Sequence, residues 1–116
     1  MLYKGSVSKR LLTLLRKLEG EAIFKEYFLV GGTALALQMG HRKSDDIDLF
    51  TQKELQISEI AKYLKQHHGK KYQLLNSQNM IYQVLIDGIK VDFVHHPFEL
   101  VEAVHHEEEI TYLGKK

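Results

Sequence analysis

Two aspartates one residue apart are the first residues in the sequence whose type and spacing could do chemistry. They stand in Asp46-Ile47-Asp48-Leu49-Phe50, where acidic and apolar residues alternate with the two-residue period of a β-strand. Both carboxylates therefore project from one face, while Ile47 and Leu49 point into the core. Two like charges held this close favour a bound cation, and ligands that are all oxygen suit Mg²⁺ or Mn²⁺.

A third carboxylate follows in a second alternating run, Ile89-Lys90-Val91-Asp92-Phe93-Val94. Asp92 lies on the polar face of this strand, so we expect it to line a cleft beside the acidic pair. Three such carboxylates can hold two divalent ions for phosphoryl transfer, with Asp92 aiding the incoming hydroxyl. Lys90 shares the face of Asp92; it either neutralises developing phosphate charge or forms a salt bridge that balances the acids.

A glycine pair supplies the candidate anion site. Gly31-Gly32-Thr33 comes directly after the apolar, strand-like run at 27–30 and opens a helix. Backbone N–H groups at a helix start attract phosphate, and glycine lets it approach the backbone closely. Taken alone, a glycine pair is more often a tight turn and paired acids are more often a solvated sheet edge. The two features together, with a third aspartate in phase, make a nucleotide site the hypothesis.

The elements that must position these residues follow from periodicity and from glycine stops. We predict helices at 9–19 after the N-cap Ser8, at 33–39 between the cap Thr33 and Gly40, at 55–68, and a short one around 98–104. We predict strands at 27–30, 46–50, 72–75, 80–86, 89–94 and 110–113, with a loop at 76–79 and a hairpin turn at Asp87-Gly88. This order indicates an α/β domain with a mixed sheet flanked by helices.

Composition limits the classes of partner and the compartment. The 116 residues are 44% apolar and make one domain, and 16 Lys+Arg against 15 Asp+Glu leave a formal charge of +1. This balance gives little support to tight RNA binding by the chain as a whole, so phosphate binding must be local. The sequence has no cysteine and no apolar span, so we expect a cytoplasmic protein. Three adjacent histidine pairs suggest zinc only weakly, because neighbouring residues do not aim at one ion.

The spacing of these motifs resembles a known superfamily. Val30-Gly31-Gly32 followed by Asp46-Ile47-Asp48-Leu49 is similar to the pattern of nucleotidyltransferases of the DNA polymerase β type. The stretch FLVGGTALALQMGHRKSDDIDLF at 28–50 resembles the AbiEii branch more closely, which includes MenT-like toxins of toxin–antitoxin systems. IDGIKVDFVHHPF at 86–98 resembles the third-carboxylate strand of that branch. The resemblance implies a polymerase β-like nucleotidyltransferase core over residues 1–116.

The resemblance also implies roles for individual residues. Gly31, Gly32 and Thr33 would contact the triphosphate of an NTP, and Arg42 and Ser44 in the HRxS connector would touch phosphate. Asp46 and Asp48 would bind two Mg²⁺ or Mn²⁺ ions, and Asp92 would complete the catalytic triad. The expected reaction moves a nucleoside monophosphate from an NTP to a hydroxyl on RNA, such as a tRNA 3′ end, or on a protein.

Family resemblance further implies a toxin with a cognate antitoxin and no membrane partner. Members continue into a helical half that carries a lysine, whereas this sequence stops at Lys116, so we expect that half to be absent. That expectation leaves a second hypothesis open. The chain is then a noncatalytic nucleotide-binding or interaction module that keeps the fold but lacks the acceptor half.

Overall fold

Seven strands form one mixed sheet. The computed structural model describes residues 2–40, 46–98, 103–107 and 110–114. The strands are β1 (Phe28–Val30), β2 (Asp46–Thr51), β3 (Tyr72–Gln78), β4 (Ile81–Ile86), β5 (Ile89–His95), β6 (Ala103–Glu107) and β7 (Ile110–Gly114), in the spatial order β3-β4-β5-β2-β1-β7-β6. β2 runs parallel to β5 and antiparallel to β1, while β1 runs parallel to β7. The predicted α/β class with a mixed sheet is confirmed.

Three α-helices in the described ranges pack with this sheet: α1 (Lys9–Glu19), α2 (Gly31–Met39) and α3 (Ile57–His68). Ser8 caps α1 as predicted, because its hydroxyl accepts a 3.0 Å hydrogen bond from the N–H of Leu11. Short 3₁₀ turns lie at Lys4–Ser6, Ala22–Phe24 and Gly69–Lys71. No described helix combines the length and apolar composition that crossing a bilayer requires.

An aromatic cluster ties the helices to one face of the sheet. The fully buried ring of Phe24 stacks on Phe93 of β5 at 5.2 Å between centroids, and meets Tyr27 and Tyr63 edge-on at 5.5 Å each. Alternate residues of the central strands enter this core, and Ile47 is fully buried. The face that remains uncovered by the core carries the acidic residues, as the alternation predicts.

The start of α2 differs from the prediction. The helix begins at Gly31 rather than after a cap at Thr33. Thr33 is buried inside the first turn, and its hydroxyl donates a hydrogen bond to the backbone carbonyl of Asp46 in β2. A short polar side chain that looked like a cap therefore fastens the helix to the neighbouring strand.

Two further predictions of local structure are wrong. β3 continues to Gln78 through the stretch expected to be a loop, because cross-strand pairing with β4 extends from Asn76 to the turn, past a bulge that follows Leu74. Val104 lies in β6 and pairs with Leu113 of β7 instead of joining a helix. The other residues that suggested this helix, apart from Phe98, lie outside the described ranges.

Glu19, the last residue of α1, makes stability depend on pH. Burial raises its pKa from 4.5 to about 8, against a hydrogen bond from the backbone of Thr111 that lowers it. Because the folded state holds this proton more tightly than the unfolded chain, stability falls as pH rises from about 4.5 to about 8. Glu19→Gln should raise the free energy of unfolding at pH 8 by about 2 kcal/mol. Urea unfolding between pH 5 and 8 measures it.

A matched substitution at an exposed glutamate, Glu59→Gln on α3, should leave this pH dependence unchanged. If Glu19→Gln and the unchanged chain lose stability in parallel as pH rises, the assignment of the dependence to Glu19 is wrong.

Candidate functional site

Asp48 stands at the centre of the candidate site. In β2 it pairs on one side with Val30, the last residue of β1, and on the other with Asp92 of β5. The parallel register therefore sets the two carboxylates side by side on the same face. Asp48 is half-buried, and Asp92 is only 8% exposed. The structure thus brings together two of the three aspartates that the sequence singled out.

Asp46 and Lys90 form the next register pair on this face, one step toward the strand starts. Asp46 is exposed, while Lys90 is half-buried and turns toward Asp92. The Nζ of Lys90 lies 3.2 Å from Oδ2 of Asp92, so the salt bridge that the sequence left open is present. This bond raises the pKa of Lys90 and outweighs its partial burial.

Electrostatic crowding centres on Asp48. Burial raises its pKa, and the charges of Asp92 and Asp46 raise it further. The positive charge of Lys90 lowers it but does not reverse the shift. Cation binding beside Asp48 is therefore favourable, because the positive charge relieves the repulsion between the carboxylates.

Two amide side chains complete the surroundings of Asp92. Gln83 of β4 lies across from it and donates a 3.2 Å hydrogen bond to Oδ2, while the Oε1 of Gln83 accepts one of 3.2 Å from Asn76 of β3. This relay fixes which way the Gln83 amide points. Sequence reasoning missed both residues. The signal was present for Gln83, since the two-residue turn at Asp87-Gly88 fixes the hairpin register and places residue 83 opposite residue 92.

Gly31 has a structural reason to be glycine at this site. Its φ is +76°, and a Cβ there would lie 2.5 Å from Oδ2 of Asp48. The absence of a Cβ at Gly31 therefore leaves space for the carboxylate of Asp48. Because Gly31 is also exposed, a phosphate could approach its backbone. Gly31 is the first residue of α2 and lies beside Asp48.

The structure gives less support to the other residues that the sequence predicted to contact phosphate. Thr33 has its hydroxyl bonded to the Asp46 carbonyl and its side chain buried, so phosphate could meet its backbone rather than its hydroxyl. Gly32 lies in the first turn of α2, and the structure describes no more of it than that. Arg42 and Ser44 lie outside the described residues. Their roles toward a triphosphate stay predictions.

The carboxylate oxygens of Asp48 and Asp92 are the atoms that would coordinate a divalent ion at this site. Oδ1 of Asp92 is buried and has no hydrogen-bond partner in the described part of the chain, and the carboxylate of Asp48 lies beside it. Both are hard oxygen donors, which Mg²⁺ and Mn²⁺ prefer. Among the described residues, however, no three acidic or histidine side chains gather closely enough to hold an ion by themselves. An ion bound by these two carboxylates would have to complete its ligand shell with water and substrate oxygens.

Known proteins resemble this chain in sequence. A family model described as the nucleotidyl transferase AbiEii toxin of a type IV TA (toxin–antitoxin) system matches residues 13–102. An uncharacterized protein of Aquifex aeolicus (strain VF5) is 32% identical over 90 residues, which cover 76% of this chain and 43% of that relative. The chain thus spans less than half the length of the relative.

A solved structure with a similar fold comes from another bacterium. The crystal structure of JHP933 from Helicobacter pylori matches with a TM-score of 0.56 at 15% sequence identity, over 94% of this chain and 54% of that chain. Nearly the whole described arrangement of strands and helices therefore recurs within about half of another protein. At this identity the similarity concerns the fold.

Gly31→Ala should destabilise the fold more than the same change at another glycine with positive φ. Both positions strain an alanine backbone by about 1 kcal/mol, but at Gly31 the added methyl also collides with Asp48. Gly88 is the matched control, because its φ is +80° and the nearest atom to an added Cβ is 3.8 Å away. Thermal unfolding of both variants, and of Gly31→Ala combined with Asp48→Ala, measures the difference. Equal losses at the two glycines would contradict the collision.

Proposed function

This chain belongs to the AbiEii family of nucleotidyltransferase toxins, and we propose that it transfers a nucleoside monophosphate from an NTP to a hydroxyl acceptor, with Mg²⁺ or Mn²⁺. In this proposal residues 1–116 are a single nucleotidyltransferase domain with a polymerase β-like core. A cognate antitoxin would be its protein partner, as the family description suggests. The acceptor hydroxyl belongs to RNA or to a protein side chain.

One observation carries the proposal: the position of Asp48 between the end of β1 and Asp92. That position joins the two halves that nucleotidyl transfer requires. Gly31 and the start of α2 present backbone N–H groups for phosphate, and the two carboxylates offer oxygen ligands for a cation within the same few ångströms. A sheet edge that merely carried solvated acids would not need a residue without a Cβ to make room for a carboxylate, as Gly31 does for Asp48.

Each residue of the site has a chemical part in the transfer. The glycine turn holds the anionic phosphates, and Lys90 offsets negative charge that develops on them while also holding Asp92. Divalent ions held by Asp48 and Asp92, with Asp46, would neutralise phosphate charge and align the attacking and leaving oxygens. The hydroxyl oxygen of the acceptor bonds to the α-phosphorus of the NTP as the bond to pyrophosphate breaks and pyrophosphate leaves. Asp92 receives the proton of that hydroxyl, and Gln83 orients the carboxylate of Asp92.

Asp48→Asn should remove Mg²⁺-dependent NTP binding while stabilising the metal-free fold. The amide weakens cation binding by more than about 100-fold, and it removes the repulsion that raises the pKa of Asp48. Calorimetric titration of Mg-ATP, Mg-GTP, Mg-CTP and Mg-UTP, with and without Mg²⁺, measures the first effect. Thermal unfolding in a chelator measures the second.

Asp87→Asn makes the same chemical change in the β4–β5 turn and should leave NTP binding unaltered. NTP binding that survives Asp48→Asn would refute the site. Binding of no NTP by the unchanged chain would favour the second hypothesis, a noncatalytic module of the same fold.

Gln83→Leu should weaken Mg²⁺ binding by about 10-fold without unfolding the protein. It removes the amide that orients Asp92 but keeps nearly the same volume. The control Gln73→Leu changes an exposed glutamine on β3 to the same residue. Mg²⁺ titration in the presence of a bound NTP gives the affinities. Equal Mg²⁺ affinity in both variants would mean that Gln83 does not position Asp92.

A further inference from the structure

β3 forms one edge of the sheet, where a row of its backbone groups faces outward. It stands first in the strand order, so β4 pairs with only one of its two sides. The N–H and C=O groups on its other side have no strand partner in the described part of the chain. Such a row is a template for a further strand, and edge strands that remain unpaired commonly carry charges or proline to prevent this.

β3 lacks these protective residues. Its sequence, YQLLNSQ, has no charged side chain and no proline, and no charge occurs from Tyr72 to Ile86 although 27% of the chain is charged. The strand at the opposite edge, β6, ends instead in Glu107, which two more glutamates follow in the sequence. Negative charge at that edge opposes the approach of a like edge. Of the two edges, β3 is therefore the one suited to strand pairing.

Two consecutive leucines give this edge an apolar centre. Leu74 is 55% exposed even though it pairs with the buried Val84, and Leu75 is 48% exposed. Leu75 is the extra residue of the β-bulge and has no register partner in β4. Met80, in the turn between β3 and β4, adds a third exposed apolar side chain. Covering this edge would therefore remove apolar surface from water as well as satisfy backbone groups.

A second copy of β3 matches this edge in charge and in shape. An uncharged strand can lie antiparallel to its own copy without setting like charges opposite each other, whereas a charged segment would find no countercharge within β3. An antiparallel pair centred on Leu75 sets Tyr72 of each copy opposite Gln78 of the other and brings the two Leu75 side chains together. This twofold arrangement uses both β3 edges, so association stops at two copies.

We infer that the chain forms a twofold homodimer in which the two β3 edges pair antiparallel and join two seven-stranded sheets into one. Pairing through seven residues and two leucines from each copy buries less surface than the roughly 1,600 Å² of a standard stable interface. The dimer is therefore weak, with a Kd of about 10–100 µM. The inference is independent of the proposed function, because it needs neither nucleotide nor metal.

Sedimentation velocity over protein concentrations that span this Kd tests the dimer. Leu75→Lys should raise the Kd at least about 10-fold, because two lysines would meet at the centre of the interface and the contact between the leucines would be lost. The control Ile23→Lys makes the same kind of change at an exposed apolar residue in the 3₁₀ turn Ala22–Phe24, and it should leave the Kd unchanged. Circular dichroism shows whether both variants are folded.

A disulfide cross-link tests the pairing geometry without adding a charge. The chain has no cysteine, so Leu75→Cys introduces a single thiol in each copy. Residues directly opposite each other in antiparallel strands have their Cα atoms close enough for a disulfide. An added oxidant should therefore cross-link Leu75→Cys into a covalent dimer, whereas the control Ile23→Cys should stay largely monomeric.

Other outcomes overturn the inference. A chain that stays monomeric well above the expected Kd does not pair through β3. A dimer that Leu75→Lys leaves intact has its interface elsewhere, and equal weakening by both lysine variants would make association a matter of net charge. Equal cross-linking of the two cysteine variants would reflect random collision. All of these measurements are made without Mg²⁺ and NTP, so their failure leaves the proposed function untouched.

Discussion

Two aspartates forced side by side are the constraint on which the site depends. Asp48 and Asp92 would separate if their strands could slide, because burial and the negative charge of Asp92 oppose the ionised form of Asp48. They cannot slide, since a shift of one residue would turn the apolar residues Ile47 and Phe93 out of the core. Hydrophobic burial on one face of the sheet thus maintains an unfavourable electrostatic arrangement on the other.

The neighbours of this pair moderate the repulsion without removing it. Lys90 and Gln83 both bond to Oδ2 of Asp92, which leaves Oδ1 buried and unsatisfied within the described part of the chain. On the other side, Gly31 lets the carboxylate of Asp48 lie against its backbone. These contacts fix the positions of the carboxylate oxygens before any ligand arrives, and such preorganisation is what a cation site requires.

Local sequence patterns predicted the parts of the site and expected Asp92 beside the acidic pair, but they did not predict the strand pairing that brings the carboxylates together. The alternation around Asp46 and around Lys90 gave both strands and their polar faces, and the Asp87-Gly88 turn contained the register that brings Gln83 to Asp92. The parallel pairing of β2 with β5 joins segments far apart in the chain, so no short-range signal reports it. The predicted helix cap at Thr33 was wrong for a related reason. The Thr33 hydroxyl donates a hydrogen bond to the Asp46 carbonyl on β2, and a local cap motif carries no information about such a tertiary contact.

Charge shows the same limit of sequence reasoning at a larger scale. The formal charge of +1 is the sum over all charged side chains, whereas the fold separates those side chains in space. Acidic residues lie together on one face of the sheet, and Lys9 and Lys17 of α1 lie near Lys71 on the other. Such separation costs little in water, because exposed cations are well solvated and screened.

The incomplete ligand set has a thermodynamic consequence for the proposed reaction. Asp48 and Asp92 are close, but among the described residues Asp46 does not gather with them into a three-ligand cluster, so an ion would bind weakly until phosphate oxygens join its shell. Bound NTP raises the affinity for the ion by the same factor by which the bound ion raises the affinity for NTP, because the two binding equilibria are linked. Nucleotide and metal would then bind as a unit. The half-buried carboxylate of Asp48 adds to the affinity for the cation, since a cation relieves the repulsion from Asp92 and Asp46.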